Sequence, residues 1–108
     1  MIDINVEDIA LLARKISFLR NEKKLAVLMT IHENDCSAKE ISQKTGLSTG
    51  EVNHALNELK REYLILLRSR KFSYSLTELG KNLAEIVEIL ARLGQSKSII
   101  DFERMKLE

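Results

Sequence analysis

The feature that most constrains the fold is a pair of helix-start signals on either side of one glycine. Ser37 and Glu40 form the first capping box, in which each side chain accepts a hydrogen bond from the other residue's backbone N–H. Ser48 and Glu51 form the second. Gly46 stands between them, where glycine ends a helix at low cost because it adopts the left-handed conformation. The spacing predicts two short helices joined by a tight turn.

The second of these helices, predicted over residues 49–63, carries an apolar face. Its apolar residues recur at intervals of 4, 3 and 4, and they are Val52, Leu56, Leu59 and Tyr63. We expect this stripe to face the core, because residues at such spacing lie on one side of a helix. The opposite side then presents hydrogen-bonding residues to solvent.

A change of period after the second helix indicates a β-hairpin. Residues 64–67 form a short apolar run, and residues 72–76 alternate between apolar and polar side chains. The intervening turn lies near residues 69–71 and gives the hairpin a basic tip. Two helices around a tight turn, followed by such a hairpin, describe a winged helix-turn-helix. The predicted class is therefore mainly α with a small β-hairpin.

Helices are predicted on both sides of this unit, within a chain of 108 residues that is long enough for one domain. We divide the chain into an N-terminal helix within residues 1–20, a core over 21–77, a last helix within 78–94 and a tail over 95–108. We expect the last helix to end at Gly94, because glycine commonly follows a helix.

The outer helices carry more apolar surface than one small core needs, which predicts a homodimer. The last helix has a heptad-like apolar seam, as helices that pair with another helix do. The residues predicted at the interface are Ile9, Leu12, Ile16, Leu19, Leu79, Leu83, Ile86, Leu90 and Leu93. In the alternative, a monomer, the first helix packs on the last helix of the same chain.

Residues 21–83 resemble the winged-helix core of MarR-like and ArsR-like transcription regulators, including small archaeal ones. The pieces that carry the resemblance are EISQKTGLS, EVNHALNELKREYLI and YSLTELGKNL. Such proteins often have Gly where Tyr63 stands, and Asp and Gly at the wing tip, where this chain has Arg-Ser-Arg-Lys. The resemblance implies a DNA-binding regulator of transcription.

A helix of this kind enters the major groove of duplex DNA, where amides read base edges and basic side chains meet phosphates. The predicted partner is double-stranded DNA with a near-palindromic site. The wing, residues 68–72, would lie on the backbone or in the minor groove. The residues predicted to contact DNA are Ser48, Thr49, Asn53, His54, Asn57, Lys60 and Arg61 on the helix, and Arg68, Arg70 and Lys71 on the wing.

The distribution of charge agrees with phosphate binding. The whole chain has a net charge of +1, whereas residues 37–77 hold seven basic and four acidic residues, a net charge of +3. A positive excess on the unit that would meet DNA is what electrostatic attraction to phosphates requires.

Other classes of function lack a pattern in this sequence. We predict no enzyme, because no nucleophile–base arrangement or phosphate-binding glycine loop is present. One cysteine and two histidines cannot complete a zinc site, so we predict no metal and no cofactor. The lone Cys36 is interpreted as a packing residue. The first residues show no cleavable signal, and no apolar run approaches the ~20 residues of a membrane span, so we expect a cytoplasmic protein.

Two other functions stay open. The first is a winged-helix protein–protein interaction module that binds no nucleic acid, since a fold does not fix a function. The second is an RNA- or single-strand-binding module, which would need exposed aromatic side chains for stacking. Phe72 is the aromatic residue best placed for that role, because it lies near the wing.

Overall fold

The computed structural model describes residues 5–18 and 20–95, and this part of the chain forms five helices and one two-stranded hairpin. The elements are α1 Val6–Phe18, α2 Glu22–Glu33, α3 Ala38–Thr45, α4 Thr49–Arg61, β1 Ile65–Arg68, β2 Ser73–Leu76 and α5 Glu78–Gln95. The predicted fold class, mainly α with a small β-hairpin, is confirmed. The side chains of Leu12 and Ile16, and the whole of Leu19, lie outside the described residues. Arg20, predicted to close the first helix, lies in a turn.

The helix-turn-helix forms as the sequence predicts. Both capping boxes are present, with the side chains of Ser37 and Ser48 each accepting the backbone N–H three residues later. Gly46 adopts the left-handed conformation, with φ of 76°. The backbone N–H of Gly46 donates to the carbonyl of Ser42 at 2.9 Å and closes the end of α3. These local bonds set the angle between α3 and α4 before any tertiary contact is considered.

The core lies between α2, the helix-turn-helix and the hairpin. Its buried apolar side chains come from every one of these elements, and α5 adds the edge of the cluster. They are Val27, Leu28, Ile31, Cys36, Ile41, Val52, Ala55, Leu56, Leu59, Leu64, Ile65, Leu76, Leu83 and Ala84. Burying such side chains is the main stabilising contribution to the fold, at about 1.5–3 kcal/mol for each large aliphatic residue.

The end of α4 differs from the prediction, and the difference concerns Tyr63. The helix ends at Arg61, and Tyr63 is 77% exposed with φ of 58°. The backbone N–H of Leu64 donates to the carbonyl of Leu59 at 3.0 Å, and that of Tyr63 donates to Lys60 at 3.0 Å. This pair of bonds is a Schellman motif, in which Tyr63 occupies the left-handed position that glycine usually fills. Tyr63 therefore points to solvent, and the buried Leu64 takes the inward position instead.

The hairpin pairs β1 and β2 antiparallel, with Ile65 opposite Leu76 and Arg68 opposite Ser73. Cys36 extends this sheet by one residue, because its backbone N–H and carbonyl both bond to Tyr74, at 3.3 and 2.7 Å. Its side chain is buried, which confirms the packing role predicted for it. The sequence did not indicate this third strand position.

The start of α5 packs tightly on the connection between α4 and β1. The hydroxyl of Thr77 donates to the carbonyl of Tyr63 at 2.6 Å and accepts the backbone N–H of Gly80 at 3.0 Å. A Cβ atom at Gly80 would overlap the carbonyl oxygen of Leu64. Glycine at this position therefore allows the helix to approach the backbone of the connection.

Two expectations about α5 are corrected by the structure. Leu83, predicted at a dimer interface, packs in the core of its own chain and is 9% exposed. It lies on the side of the helix that faces the hairpin and α2, together with Ala84. The helix also continues through Gly94 to Gln95, since an interior glycine costs only about 1 kcal/mol relative to alanine.

Candidate nucleic-acid interface

The outward face of α4 is exposed along its whole length. All the residues that the sequence predicts for DNA contact on this helix are exposed, and they are Ser48, Thr49, Asn53, His54, Asn57, Lys60 and Arg61. The apolar side chains of Val52, Leu56 and Leu59 are fully buried on the opposite face. Asn53 and Asn57 therefore lie on the exposed face of the helix, where their amides can approach a base edge.

The acidic residues within α4 are paired with lysines of α2. Lys23 contacts the carboxylate of Glu51 at 2.5 Å, and Lys24 forms an ion pair with Glu58. The second pair is largely buried, with 15% and 23% of the two side chains exposed. These pairs neutralise carboxylates that would otherwise repel phosphate. The basic residues near the end of the helix, Lys60 and Arg61, remain exposed.

The pKa values of these carboxyl groups reflect their partners. The pKa of Glu51 is lowered from 4.5 to about 2, chiefly by the hydrogen bond from Lys23 and then by the backbone N–H of Ser48. The pKa of Glu58 is lowered chiefly by its hydrogen bond from Lys24. Both carboxylates are therefore charged at neutral pH, and both are balanced by α2.

We expect Glu51 to stay ionised at pH 3 in the wild-type protein, and Lys23→Ala to raise its pKa towards 4.5. Because the pKa of the folded state lies below the ordinary value, this interaction stabilises the fold above pH 4.5. That contribution is lost as the pH falls towards 2. Carboxyl chemical shifts followed by NMR during an acid titration measure the midpoint. Lys39→Ala, which removes an exposed lysine of α3, is the control and leaves the midpoint unchanged. A wild-type midpoint near 4.5 would contradict the expectation.

His54 is exposed but has an intramolecular partner. Its Nε2 lies 2.9 Å from the carboxylate of Glu58, one helical turn away, with 74% of the imidazole exposed. A hydrogen bond to DNA from this nitrogen would compete with the carboxylate. His54 is consequently a weaker contact candidate than the two asparagines.

The basic residues of the wing are not equivalent. Nε of Arg68 donates to the hydroxyl of Ser75 at 2.7 Å, and this hydroxyl donates to the carboxylate of Asp35 at 2.6 Å. Arg68 is therefore anchored across the hairpin towards the end of α2, and Asp35 partly balances its charge. Arg70 and Lys71 lie in the turn and are exposed. They are the wing bases best placed to meet a phosphate.

Phe72 is not among the residues that the sequence predicts to contact DNA. The structure exposes 77% of this side chain at the end of the wing turn, beside Lys71, and gives it φ of 50°. The available signal was an aromatic residue beside basic ones in a turn without glycine or asparagine. The ion pairs of α2 with α4 had no local signal, because their partners are distant in the chain.

The outer helices present apolar side chains to solvent. Of the predicted interface residues whose side chains are described, five are exposed, and they are Ile9, Leu79, Ile86, Leu90 and Leu93. Val6, Leu11 and Ile89 are exposed as well. Leu25, Leu83, Ile86, Val87 and Leu90 line much of a groove of about 390 Å³ along α5.

Within residues 5–18 and 20–95, no group of three or more His, Cys, Asp or Glu side chains is arranged to bind a metal ion. None of the helices in this part of the chain is both long and apolar enough to cross a lipid bilayer.

Several solved structures share the fold of this chain. No protein-family model and no curated protein matches the sequence. HlyU from Vibrio cholerae is 24% identical, with a TM-score of 0.68, over 80% of this chain and 97% of that one. A MarR/EmrR family regulator from Acinetobacter is 20% identical, with a TM-score of 0.61, over 93% of this chain and 82% of that one.

A third solved structure gives the same picture. The transcriptional repressor BigR from Xylella fastidiosa is 19% identical, with a TM-score of 0.67, over 85% of this chain and 98% of that one. The chain therefore has the winged helix-turn-helix fold that MarR-like transcription regulators share, as the sequence predicts.

Proposed function

We propose that this protein is a sequence-specific regulator of transcription that binds double-stranded DNA and has no catalytic role. In this proposal α4 enters the major groove, and the wing contacts the backbone or the minor groove. The observation that carries it is the outward face of α4. Its asparagine amides and basic side chains are exposed, while the carboxylates of Glu51 and Glu58 are neutralised by Lys23 and Lys24.

Each part of this face suits a particular part of the duplex. The amides of Asn53 and Asn57 can each donate and accept at one adenine edge, which is the contact that distinguishes adenine in the major groove. Ser48 and Thr49 lie at the N-terminus of α4, where the positive end of the helix dipole favours a phosphate. Lys60 lies further along the helix and would meet the backbone.

The regulator would act as a homodimer on a near-palindromic site. A two-fold dimer places its two recognition helices about 34 Å apart, which is one turn of the duplex. The exposed apolar side chains of α1 and α5 supply the surface for such a dimer. Two proteins with the same fold, the MarR/EmrR family regulator and the repressor BigR, are named as regulators of transcription, which supports the same function.

The proposal is tested by affinity measured against salt concentration. Selection of bound fragments from random duplex DNA first provides a preferred site. Fluorescence anisotropy then gives the affinity for that site and for random duplex over a range of salt. We expect the logarithm of the binding constant to fall linearly with the logarithm of salt concentration, because phosphate contacts release counterions.

Two variants separate backbone contact from base recognition. Replacing both Arg70 and Lys71 with Ala should weaken binding to all sequences alike. It should also reduce the slope of log binding constant against log salt concentration by about 2, one for each basic side chain removed. Asn53→Ala should cost about 1–3 kcal/mol on the preferred site and little on random duplex. The control variant replaces two exposed basic residues of α5, Lys81 and Arg92, with Ala, and should change neither the affinity nor the salt slope.

The competing function is a protein–protein interaction module. If the wild-type protein shows no salt-dependent affinity for duplex DNA, the proposal is wrong and this alternative is preferred. If the control variant loses as much affinity as the wing variant, the wing has no special role in binding.

A further inference from the structure

Phe72 has two features that are unfavourable for the stability of the folded protein. The residue is 77% exposed, and its backbone is in the left-handed region with φ of 50°. A side chain with a Cβ atom pays about 1–2 kcal/mol for that conformation, which glycine and asparagine adopt easily. The turn therefore has a bulky aromatic residue at a position where a smaller residue would be more stable.

The turn places Phe72 at the tip of the hairpin. The backbone N–H of Lys71 donates to the carbonyl of Arg68 at 3.1 Å, which closes a β-turn over these four residues. Phe72 follows in the left-handed conformation, and Ser73 then pairs with Arg68 at the start of β2. The four-residue loop thus carries Arg70 and Lys71 immediately before the aromatic ring.

The composition of the tip favours an anionic partner. Residues 68–72 contain three basic side chains and no acidic one. A protein partner with an apolar, acid-free surface would bury the ring but leave the neighbouring basic side chains without partners, which is unfavourable. Duplex DNA offers phosphates for the bases and stacked base steps for the ring. Backbone strain that persists at a surface position is itself grounds for a functional hypothesis.

We propose that Phe72 acts as an apolar wedge in the duplex next to the site contacted by α4. This inference rests on the proposed DNA-binding function. Arg70 and Lys71 bring the wing onto the backbone, and the ring enters the minor groove and partly unstacks one base step. Apolar wedges of this kind bend DNA. Because TA and CA/TG steps unstack most easily, such a step beneath the wing is preferred without any hydrogen bond to its bases.

Tyr63, in the connection between α4 and β1, provides a matched control. It has the same exposure as Phe72, 77%, and the same class of backbone conformation, with φ of 58°. It lies before β1, at the opposite end of the hairpin from the turn. Four-residue strands separate the two positions by about 13 Å. Substitution at either site relieves comparable strain, but only substitution at the tip removes the wedge.

The test compares Phe72→Asn, Phe72→Leu and Tyr63→Asn with the wild-type protein. The probe is the duplex recovered by selection, with 2-aminopurine in the step beneath the wing, and the readouts are affinity by anisotropy and 2-aminopurine fluorescence. For the wild type we expect fluorescence to rise on binding, since unstacking relieves quenching. Phe72→Asn should abolish the rise and weaken binding about tenfold, as loss of one aromatic–base contact does. Phe72→Leu should retain most of both.

The melting temperature separates the wedge from a structural role. Asparagine suits the left-handed conformation, so Phe72→Asn and Tyr63→Asn should each melt at or above the wild-type temperature. Tyr63→Asn should bind and unstack as the wild type does. If Phe72→Asn keeps wild-type affinity and fluorescence, or if Tyr63→Asn loses as much, the wedge is overturned while salt-dependent binding still stands. If the wild type itself does not bind duplex DNA, the proposed function fails instead.

Discussion

Gly80→Ala is expected to lower the free energy of unfolding by about 3 kcal/mol, the scale of a methyl group forced into a packed site. The added Cβ would overlap the carbonyl oxygen of Leu64 and lie 3.0 Å from its carbon. That oxygen cannot easily move, because it accepts the backbone N–H of Thr77 at 3.0 Å. The substitution must therefore displace the start of α5 or break the bond that joins it to the connection after α4.

Gly50→Ala provides the matched control for this substitution. Both glycines lie inside helices, but no atom lies within 4 Å of the position of a Cβ at Gly50. Alanine there should be neutral or stabilise α4 by about 0.5–1 kcal/mol, because glycine loses more backbone entropy on folding. Urea denaturation of the two variants and the wild type measures the difference at constant m-value. Equal stability of the two variants would show that the close approach at Gly80 is relaxed in solution.

The helix-turn-helix could be predicted from sequence because its determinants are local. Each capping box lies within four residues, and Gly46 has a conformation that few other residues adopt cheaply. The end of α4 could not be predicted in this way. The spacing of the apolar stripe predicts that Tyr63 faces the core. In the structure Leu64 is buried beside Leu59 instead, and the Schellman motif turns Tyr63 outward.

The candidate site shows the same division between local and distant determinants. The exposure of Asn53 and Asn57 follows from helical periodicity once Val52 and Leu56 face the core. The electrostatic state of the site does not follow, because the lysines of α2 that neutralise α4 are far away in the chain. The bond from Arg68 to Ser75 depends likewise on hairpin register, which its turn sequence does not specify.

The second large expected effect concerns dimerisation through the apolar side of α5. After Leu83 is assigned to the core, the remaining large side chains on that side are Leu79, Ile86, Leu90 and Leu93, each about half exposed. They border the apolar groove beside Leu25 and Leu83. A surface of this kind favours burial against another helix, since each large aliphatic side chain gains about 1.5–3 kcal/mol when fully buried. A second copy of the chain offers the complementary surface through two-fold symmetry.

Leu90→Glu should therefore convert the proposed dimer to a monomer and weaken binding to the proposed palindromic duplex by a factor of about 100 or more. The loss follows because the second half-site then binds a separate molecule instead of one already held at high effective concentration. Leu90 is 58% exposed in its own chain, so the monomer should keep its helical content. Sedimentation and anisotropy measure the two effects, and circular dichroism checks the fold.

Arg92→Gln is the control, because it lowers the net charge by the same one unit on the polar side of α5. Arg92 contacts Glu88 at 3.3 Å on the surface, and such exposed pairs contribute less than about 1 kcal/mol. This variant should remain dimeric and bind as the wild type does. If the wild type sediments as a monomer at micromolar concentration, the apolar side of α5 is not a dimer interface. If Leu90→Glu is monomeric but binds DNA as tightly as the wild type, DNA binding does not depend on dimerisation. In that case α4 and the wing of a single chain are sufficient for binding.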